Sequence, residues 1–492
     1  MSLDALSRRL AELPMLRIAL CMAGGILLER HFELPTTLLI LTLLVAGLGS
    51  ILLRKWYAYL LTLLSAGYLL ATFAYSPPAV PYREPALLQV RILDDGTPRT
   101  PRTRNTRHEA RLEGWQTKDG EQLHPNGGRL WLYADSTLRL SAGERLRYQG
   151  KIYPFHSDST AWSTTMLARG YVGRCYLNAY DFPERLAPRK PSLHQRASRR
   201  MQRLLKSSTD AAATVRAMTV GDRSGIHPTL RESYSRSGLS HLLAVSGLHT
   251  GMLFVVINLL VWWLPLLHRG HRLKHLLSIG AVWLFVAAAG FSVSAVRAAV
   301  MCTLLQWALL STSTYRALNS WAAAAVLLLA IRPGWLFDIG FELSFVAVGA
   351  ILCWALPLCR VVRGRFRLLN YLTDMLVVSF VAWLATAPLI SHHFGIVSLL
   401  GVLINPPAIL LGTGVVAVGL LLLLLPPLAP LLRPVMLQLA EWQNSLAAWC
   451  ASIEGATLDL RLSESATATI YLIFVALTLV LWCRDRKKSV HL

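Results

Sequence analysis

Between residues 233 and 483 the chain is one apolar run after another, separated by short links. A helix of about 20 residues matches the ~30 Å hydrocarbon layer of a bilayer, and a chain made of such runs has few other places to put them. The runs read as helices near 236–266, 276–291, 295–313, 317–332, 337–359, 371–391, 397–425, 434–453 and 466–483. Three more stand at 15–30, 36–53 and 56–75. A soluble domain of 492 residues does not carry 54% hydrophobic residues. The expected fold is therefore a polytopic α-helical membrane protein with about 10–12 transmembrane helices.

One long polar interval breaks this pattern. Residues 79–190 hold runs rich in β-formers at 87–93, 108–116, 129–134, 145–153 and 171–177, punctuated by Asp94-Asp95-Gly96, Asn126-Gly127-Gly128 and Ala142-Gly143. Five short strands in one interval predict a small barrel of OB-like type. Residues 192–220 predict one amphipathic helix lying on the bilayer. Leu193, Ala197, Met201, Leu204 and Leu205 form its apolar stripe, and Arg196, Arg199, Arg200, Arg203 and Lys206 its basic one. The expected domains are then 1–78 (membrane helices), 79–190 (OB-like), 191–232 (interfacial helix and linker), 233–483 (membrane channel domain) and 484–492 (tail).

Charge orients the chain. Arg54-Lys55 and the basic links 268–275, 360–367 and 484–488 belong on the cytoplasmic side by the positive-inside rule. That places residues 79–230 outside, in the periplasm or beyond, and the C-terminus inside. The first apolar segment reads as a retained anchor. The whole chain carries a net charge of +22. Basic exteriors suit lipid phosphate, nucleic acid or both. Arg99, Arg102, Arg104, Arg107 and Arg111 cluster near Trp115, and arginine for phosphate with aromatics for bases is the chemistry of single-strand binding. Arg196, Arg200 and Arg203 extend the candidate DNA-binding set.

The stretch Gly221–Gly251, GDRSGIHPTLRESYSRSGLSHLLAVSGLHTG, closely resembles the signature of the ComEC family of competence proteins. So do Val296-Arg297-Ala298, the block Ile339–Phe345, His392-His393-Phe394-Gly395 and Asn405-Pro406-Pro407; the resemblance covers 215–425 and, in part, the soluble loop. Near 155–163 the family's Asn-Pro-Gly-x-Phe-Asp-like turn is replaced by other residues. The resemblance implies an inner-membrane channel admitting single-stranded DNA during natural transformation. It also implies an external DNA receptor of ComEA type, a separate cytoplasmic motor or single-strand-binding protein, and membrane lipid as partners. The sequence carries neither a phosphate-binding GxxxxGK[ST] loop nor the metal motif of the metallo-β-lactamase-like domain found in many relatives. A short form is expected, with any nuclease on another chain.

Polar groups at membrane depth face protein or water. Taking 236–266 as one helix puts Ser246, His249 and Thr250 on one face, with His241 about a quarter turn from His249. Ser240, His241, Ser246, His249, Arg297, Asp338, Glu342 and Asn405 are the expected channel-lining residues. Arg297 is expected to pair with Asp338 or Glu342, and Asn405-Pro406-Pro407 to unwind its helix. Ser246 and His249, three apart on a helix, make a poor nucleophile–base pair. His241 and His249 have no evident third metal ligand. No catalytic residue, metal or cofactor is expected. The seven cysteines form no CxxC pair. A polytopic membrane enzyme or a small-solute transporter using the 241–249 face is the alternative.

Overall fold

The computed structural model describes residues 13–484 except 33, 54–55, 75–79, 95, 99–104, 118–123, 126, 139, 156–165, 167–168, 179, 188–190, 267–269 and 311–316. Three apolar helices open the chain: α1 (Pro14–His31), α2 (Thr36–Leu53) and α3 (Trp56–Ala74). Six strands follow: β1 (Pro85–Ile92), β2 (Asn105–Thr117), β3 (Arg129–Asp135), β4 (Arg145–Lys151), β5 (Tyr171–Leu177) and β6 (Glu184–Leu186). Next come α4 (Leu193–Leu205), α5 (Asp210–Val220) and α6 (Pro228–Arg236). A 3-10 turn, Ser240–Leu243, leads into α7 (Gly247–Leu260), α8 (Gly270–Ala288), α9 (Val293–Leu310) and α10 (Ala317–Ile331). The next helix, α11 (Ile339–Ala350), continues through a π turn (Ile351–Ala355) into α12 (Leu356–Val362). The chain then forms α13 (Arg367–Phe394), β7 (Ile396–Ser398), α14 (Gly401–Leu424), α15 (Ala429–Ser452), β8 (Thr457–Asp459) and α16 (Glu464–Arg484).

Among the described residues, four stretches are long and apolar enough to cross a membrane: Gly247–Leu266, Ile339–Val362, Arg367–Phe394 and Gly401–Leu424. Shorter apolar helices accompany them. Leucines on these elements face outward, Leu259 at 63% and Leu424 at 77% exposure. Water does not tolerate such a surface, and lipid does. The chain is a polytopic, mainly helical membrane protein; the finer expectation of about 10–12 crossings is met only in this coarser form.

Two compact units emerge. One comprises Met1–Ser76, Val300–Pro406 and Thr457–Leu492; the other comprises Pro77–Ala299 and Pro407–Ala456. In the first, α1 and α3 cross with their backbones almost touching. A Cβ placed on Gly25 would lie 2.1 Å from the Leu64 carbonyl oxygen, and one on Gly67 would lie 2.4 Å from that of Met22. Small residues at such crossings are what let membrane helices associate. Both obstacles are main-chain atoms and cannot swing aside. Gly25→Val is therefore expected to abolish accumulation of the full chain in membranes, measured by immunoblot. Gly24→Ala, with nothing within 4 Å, is expected to accumulate normally.

In the second unit the strands run β5-β3-β2-β1-β4-β6, and two-residue pieces at Thr97–Pro98 and His124–Pro125 pair with β2. All neighbours are antiparallel except β3 and β5, which are parallel. The sheet is not a closed barrel. Beyond β4, Tyr153 and Arg174 exchange two backbone hydrogen bonds of 2.8 Å. Alternation sends Leu88, Val90, Ile92, Leu112, Leu130, Leu132 and Leu146 into a shared core, all fully buried. Each such side chain contributes about 1.5–3 kcal/mol.

The single helix expected over 192–220 is two. Lys206 adopts a left-handed conformation (φ 51°) and ends α4; Thr209 then caps α5 by accepting from the Ala212 amide. Of the expected apolar stripe of α4, Met201 and Leu205 are fully buried, while Leu193 is exposed. α4 packs on α5, whose residues from Ala211 to Val220 are nearly all buried. Its capping-box residue Gln195 donates to the Leu93 carbonyl at 3.4 Å, and Arg199 donates to the Ala142 carbonyl at 2.6 Å. The helix is thereby docked on one end of the sheet. α15 also lies against α5 and α6. It buries Met436, Ala440, Gln443, Ala447 and Cys450, one side of the helix.

Candidate nucleic-acid interface and intramembrane polar site

Strand register builds a feature that no single strand shows. Arg145 of β4 stands opposite Arg91 of β1, Arg91 opposite Arg111 of β2, and Arg111 opposite Arg129 of β3. Directly opposed residues project to the same face. Four arginines therefore form a row across four strands, about 4.8 Å apart from strand to strand. Two carboxylates pair with the row. Glu113 accepts from Arg145 at 2.7 Å and lies 3.6 Å from Arg91; Glu109 accepts from Arg129 at 3.1 Å. Arg111 is exposed and donates to the Gly127 carbonyl at 3.2 Å. Four guanidinium groups against two carboxylates leave an excess of two positive charges.

Of the residues expected to bind DNA, Arg99, Arg102 and Arg104 lie outside the described residues. Arg107 lies over the ring of Trp131, 4.7 Å from its centroid. Trp115 is half-buried against the sheet core and stacks on His124, centroids 4.5 Å apart. One of its ring faces is thus occupied. Arg196, Arg200 and Arg203 are exposed on α4. α4 itself docks at Leu93, two residues past Arg91. Arg91, Arg129 and Arg145 were not singled out from sequence. Their runs were recognised as strands, and only register aligns them.

The 236–266 stretch corrects its sequence reading. It is not one helix. Ala244 leaves the 3-10 turn in extended conformation (φ −125°, ψ 153°), and Ser246 is also extended (φ −91°, ψ 165°). Ser246 is the N-cap of α7, so it does not share a helical face with His249 or a continuous helix with His241. The Ser246 hydroxyl accepts from the His249 amide at 3.3 Å, and the Ser246 amide donates to His249 Nδ1 at 3.4 Å. This is a capping box with histidine in the place usually held by Glu or Gln. His249 is fully buried, whereas Ser240 and His241 are exposed. His241 Nδ1 lies 3.3 Å from the Gly238 carbonyl.

Arg297 is buried on α9, with 2% exposure. Asp338, also buried, caps α11 by accepting from the Phe341 amide at 3.0 Å. Glu342 accepts a hydrogen bond from His393 Nε2 at 3.1 Å, a partner the sequence reading did not foresee. A cavity of about 270 Å³ adjoins Glu342, lined otherwise by Leu336, Phe341, Phe345, Val346, Leu389 and Tyr471. Its walls are apolar, so it suits a hydrocarbon chain better than a column of water. Asn405 is half-buried within α14. The expected unwinding at Pro406-Pro407 does not occur: both lie inside the continuous helix Gly401–Leu424.

The profile of the family described as Competence protein matches residues 218–485. The chain belongs to that family. ComE operon protein 3 of Bacillus subtilis (strain 168) is 28% identical over 283 residues, covering 56% of this chain and 35% of that protein. Competence protein ComA of Neisseria gonorrhoeae is 34% identical over 152 residues, covering 30% of this chain and 22% of that protein. The aligned part thus spans about a third or less of these curated Competence relatives. No solved structure matches the chain. The Competence match contains the capping box, Arg297, Asp338, Glu342 and Asn405. The arginine row lies outside it, on the sheet that precedes it.

Proposed function

We propose that the chain is a channel for import of single-stranded DNA across the bacterial inner membrane during natural transformation. The observation that carries the reading is the row Arg145–Arg91–Arg111–Arg129, held by the same chain as a Competence-family membrane region. A strand bears one negative charge per phosphate. Bare charge does not enter hydrocarbon, since the idealised transfer cost is on the order of tens of kcal/mol. A basic landing surface outside and polar groups within the helices meet both halves of that problem.

In this reading the sheet is an OB-like module on the external side. Its strand order and its one parallel pair support that assignment. The basic links and the C-terminus lie in the cytoplasm. His249, Arg297 and Asp338, now shut away from solvent, become wet in a conducting state. The chain acts as a conduit, not an enzyme. A ComEA-type receptor delivers the DNA, and a separate cytoplasmic motor or single-strand-binding protein draws it in.

Deleting the gene should leave labelled duplex bound at the cell surface. DNA protected from external nuclease should vanish, and transformants should fall to the background of spontaneous mutation. Normal transformation in the deletion strain rejects the proposal.

A further inference from the structure

The break before α7 does more than interrupt a span. It places a helix N-terminus inside a polar motif at the start of a membrane-length apolar run. Of the four amides that such an end leaves without carbonyl partners, two are taken: Ser246 N–H by His249 Nδ1, and His249 N–H by the Ser246 hydroxyl. The amides of Gly247 and Leu248 have no hydrogen-bond partner among the described residues. Both carry the positive end of the α7 dipole.

Histidine chemistry adds a third donor. A backbone amide can only donate, so Nδ1 of His249 is the acceptor in the capping box. The neutral ring then carries its proton on Nε2. That Nε2–H is buried and has no partner among the described residues. A buried donor without an acceptor is costly and uncommon. It belongs to a side chain that the capping box ties to the very start of α7. The rim is open: Ser246 and Gly247 are half-buried, while Ser240, His241 and Leu248 are exposed. Neighbouring contacts keep the approach narrow. A Cβ on Gly247 would lie 3.6 Å from that of Ala298, the residue after Arg297. Ser292 donates to the Val245 carbonyl at 3.4 Å.

We propose that the N-terminus of α7, with the amides of Gly247 and Leu248 and the Nε2–H of His249, is a binding site for a phosphate oxygen, and that its ligand is the phosphodiester of the passing strand. Broken membrane helices use such ends for anionic groups, and an oxyanion is the natural acceptor for idle donors of this kind. The inference rests on the import reading for the identity of the ligand, but the site itself is testable alone.

The test uses the full chain in nanodiscs with ¹⁵N-labelled histidine. The His249 Nε2 resonance should move on adding a short poly-dT oligonucleotide and stay put with its uncharged methylphosphonate counterpart. In cells, His249→Gln keeps an N–H near the place of Nε2 and should retain most uptake. His249→Phe should lose at least about tenfold, the loss of one hydrogen bond to a charged group, at equal membrane level. A resonance that ignores the charged oligonucleotide overturns the site. So does a Phe variant that takes up DNA like wild type. Movement with inorganic phosphate or phosphatidylglycerol vesicles but not with the oligonucleotide overturns the strand as ligand. A responsive resonance together with normal uptake in the deletion strain leaves the site standing and removes the import reading; a silent resonance with uptake abolished does the reverse.

Discussion

Replacing Arg91, Arg111, Arg129 and Arg145 together by Gln should weaken binding of single-stranded DNA to the purified chain by on the order of a hundredfold at low salt. The slope of log affinity against log salt should fall in the same experiment. Each phosphate neutralised on a single strand contributes about 0.7 to that slope. Four independent contacts would remove about 2.8, and an excess of only two charges about 1.4. Glu109 and Glu113 already engage two or three of these arginines, so the lower value is the firmer expectation. The acids also supply a control of opposite sign. Glu109→Gln with Glu113→Gln frees the arginines and should strengthen binding. Fluorescence anisotropy across a salt series reads all three proteins. An unchanged slope in the quadruple variant would show that the strand passes elsewhere.

Arg91, Arg129 and Arg145 are tied to Glu113 and Glu109, whereas Arg111 stands between two other arginines. Like charges opposed across strands are destabilising, each pair by a few tenths to about 1 kcal/mol. Removing Arg111 should therefore leave the fold as stable as before or slightly more so. A variant that binds DNA worse while melting no lower separates a recognition surface from a structural one. Arg107 differs. Its guanidinium covers Trp131, which in turn packs edge-on against Phe155 and Tyr171. Its loss mixes packing with charge, so it is left out of the quadruple set.

Much of the architecture could be read without coordinates, for a physical reason. A helix in lipid is specified by a local property, a run of apolar residues of sufficient length, so 36–53 and 466–483 emerge as Thr36–Leu53 and Glu464–Arg484. Strands announce themselves by alternation, and all five expected runs are strands. Misreadings occur where hydropathy is silent. The run 236–266 looks continuous because Ala244 and Val245 are as apolar as any helical residue; what stops the helix is Ser246 reaching the amide of His249. Ser-x-x-His is a weaker written signal than Ser-x-x-Glu, yet the hydroxyl half of the box needs no particular partner at the fourth place. The split of 192–220 was spelled out in Ser207-Ser208-Thr209, three residues that favour caps over helix interiors. The arginine row had no local signal at all. Register depends on turn lengths and on which face meets the core, and it aligned one arginine from each of four separate runs. The Glu342–His393 pair was hidden for a similar reason: the two are 51 positions apart, on different helices.

The stretch 434–453 held the polar residues hardest to place in a bilayer: Glu441, Gln443 and Asn444. The structure answers for Asn444, and the answer carries a second large effect. Its Oδ1 accepts from the Thr214 hydroxyl at 2.9 Å and from the Tyr234 hydroxyl at 2.8 Å, tying α15 to α5 and α6 through one atom. Thr214 and Tyr234 are both fully buried. Asn444→Leu keeps the branching and the number of heavy atoms and removes the acceptor, stranding two hydroxyls out of water. Each stranded donor costs about 1–3 kcal/mol, so a loss of about 2–6 kcal/mol is expected. That is a large share of the stability of an ordinary domain. Thermal unfolding of the detergent-solubilised chain should show a pronounced drop, with earlier proteolysis between α4 and α6. The asymmetry of hydrogen bonding supplies the decisive comparison. Removing an acceptor alone is expensive, whereas removing donors and acceptor together can be nearly neutral. Asn444→Leu combined with Thr214→Val and Tyr234→Phe should therefore recover most of the stability that Asn444→Leu loses. If the triple variant is as unstable as the single one, the loss comes from the introduced leucine packing badly and not from stranded hydroxyls, and the amide is no longer the joint between these helices.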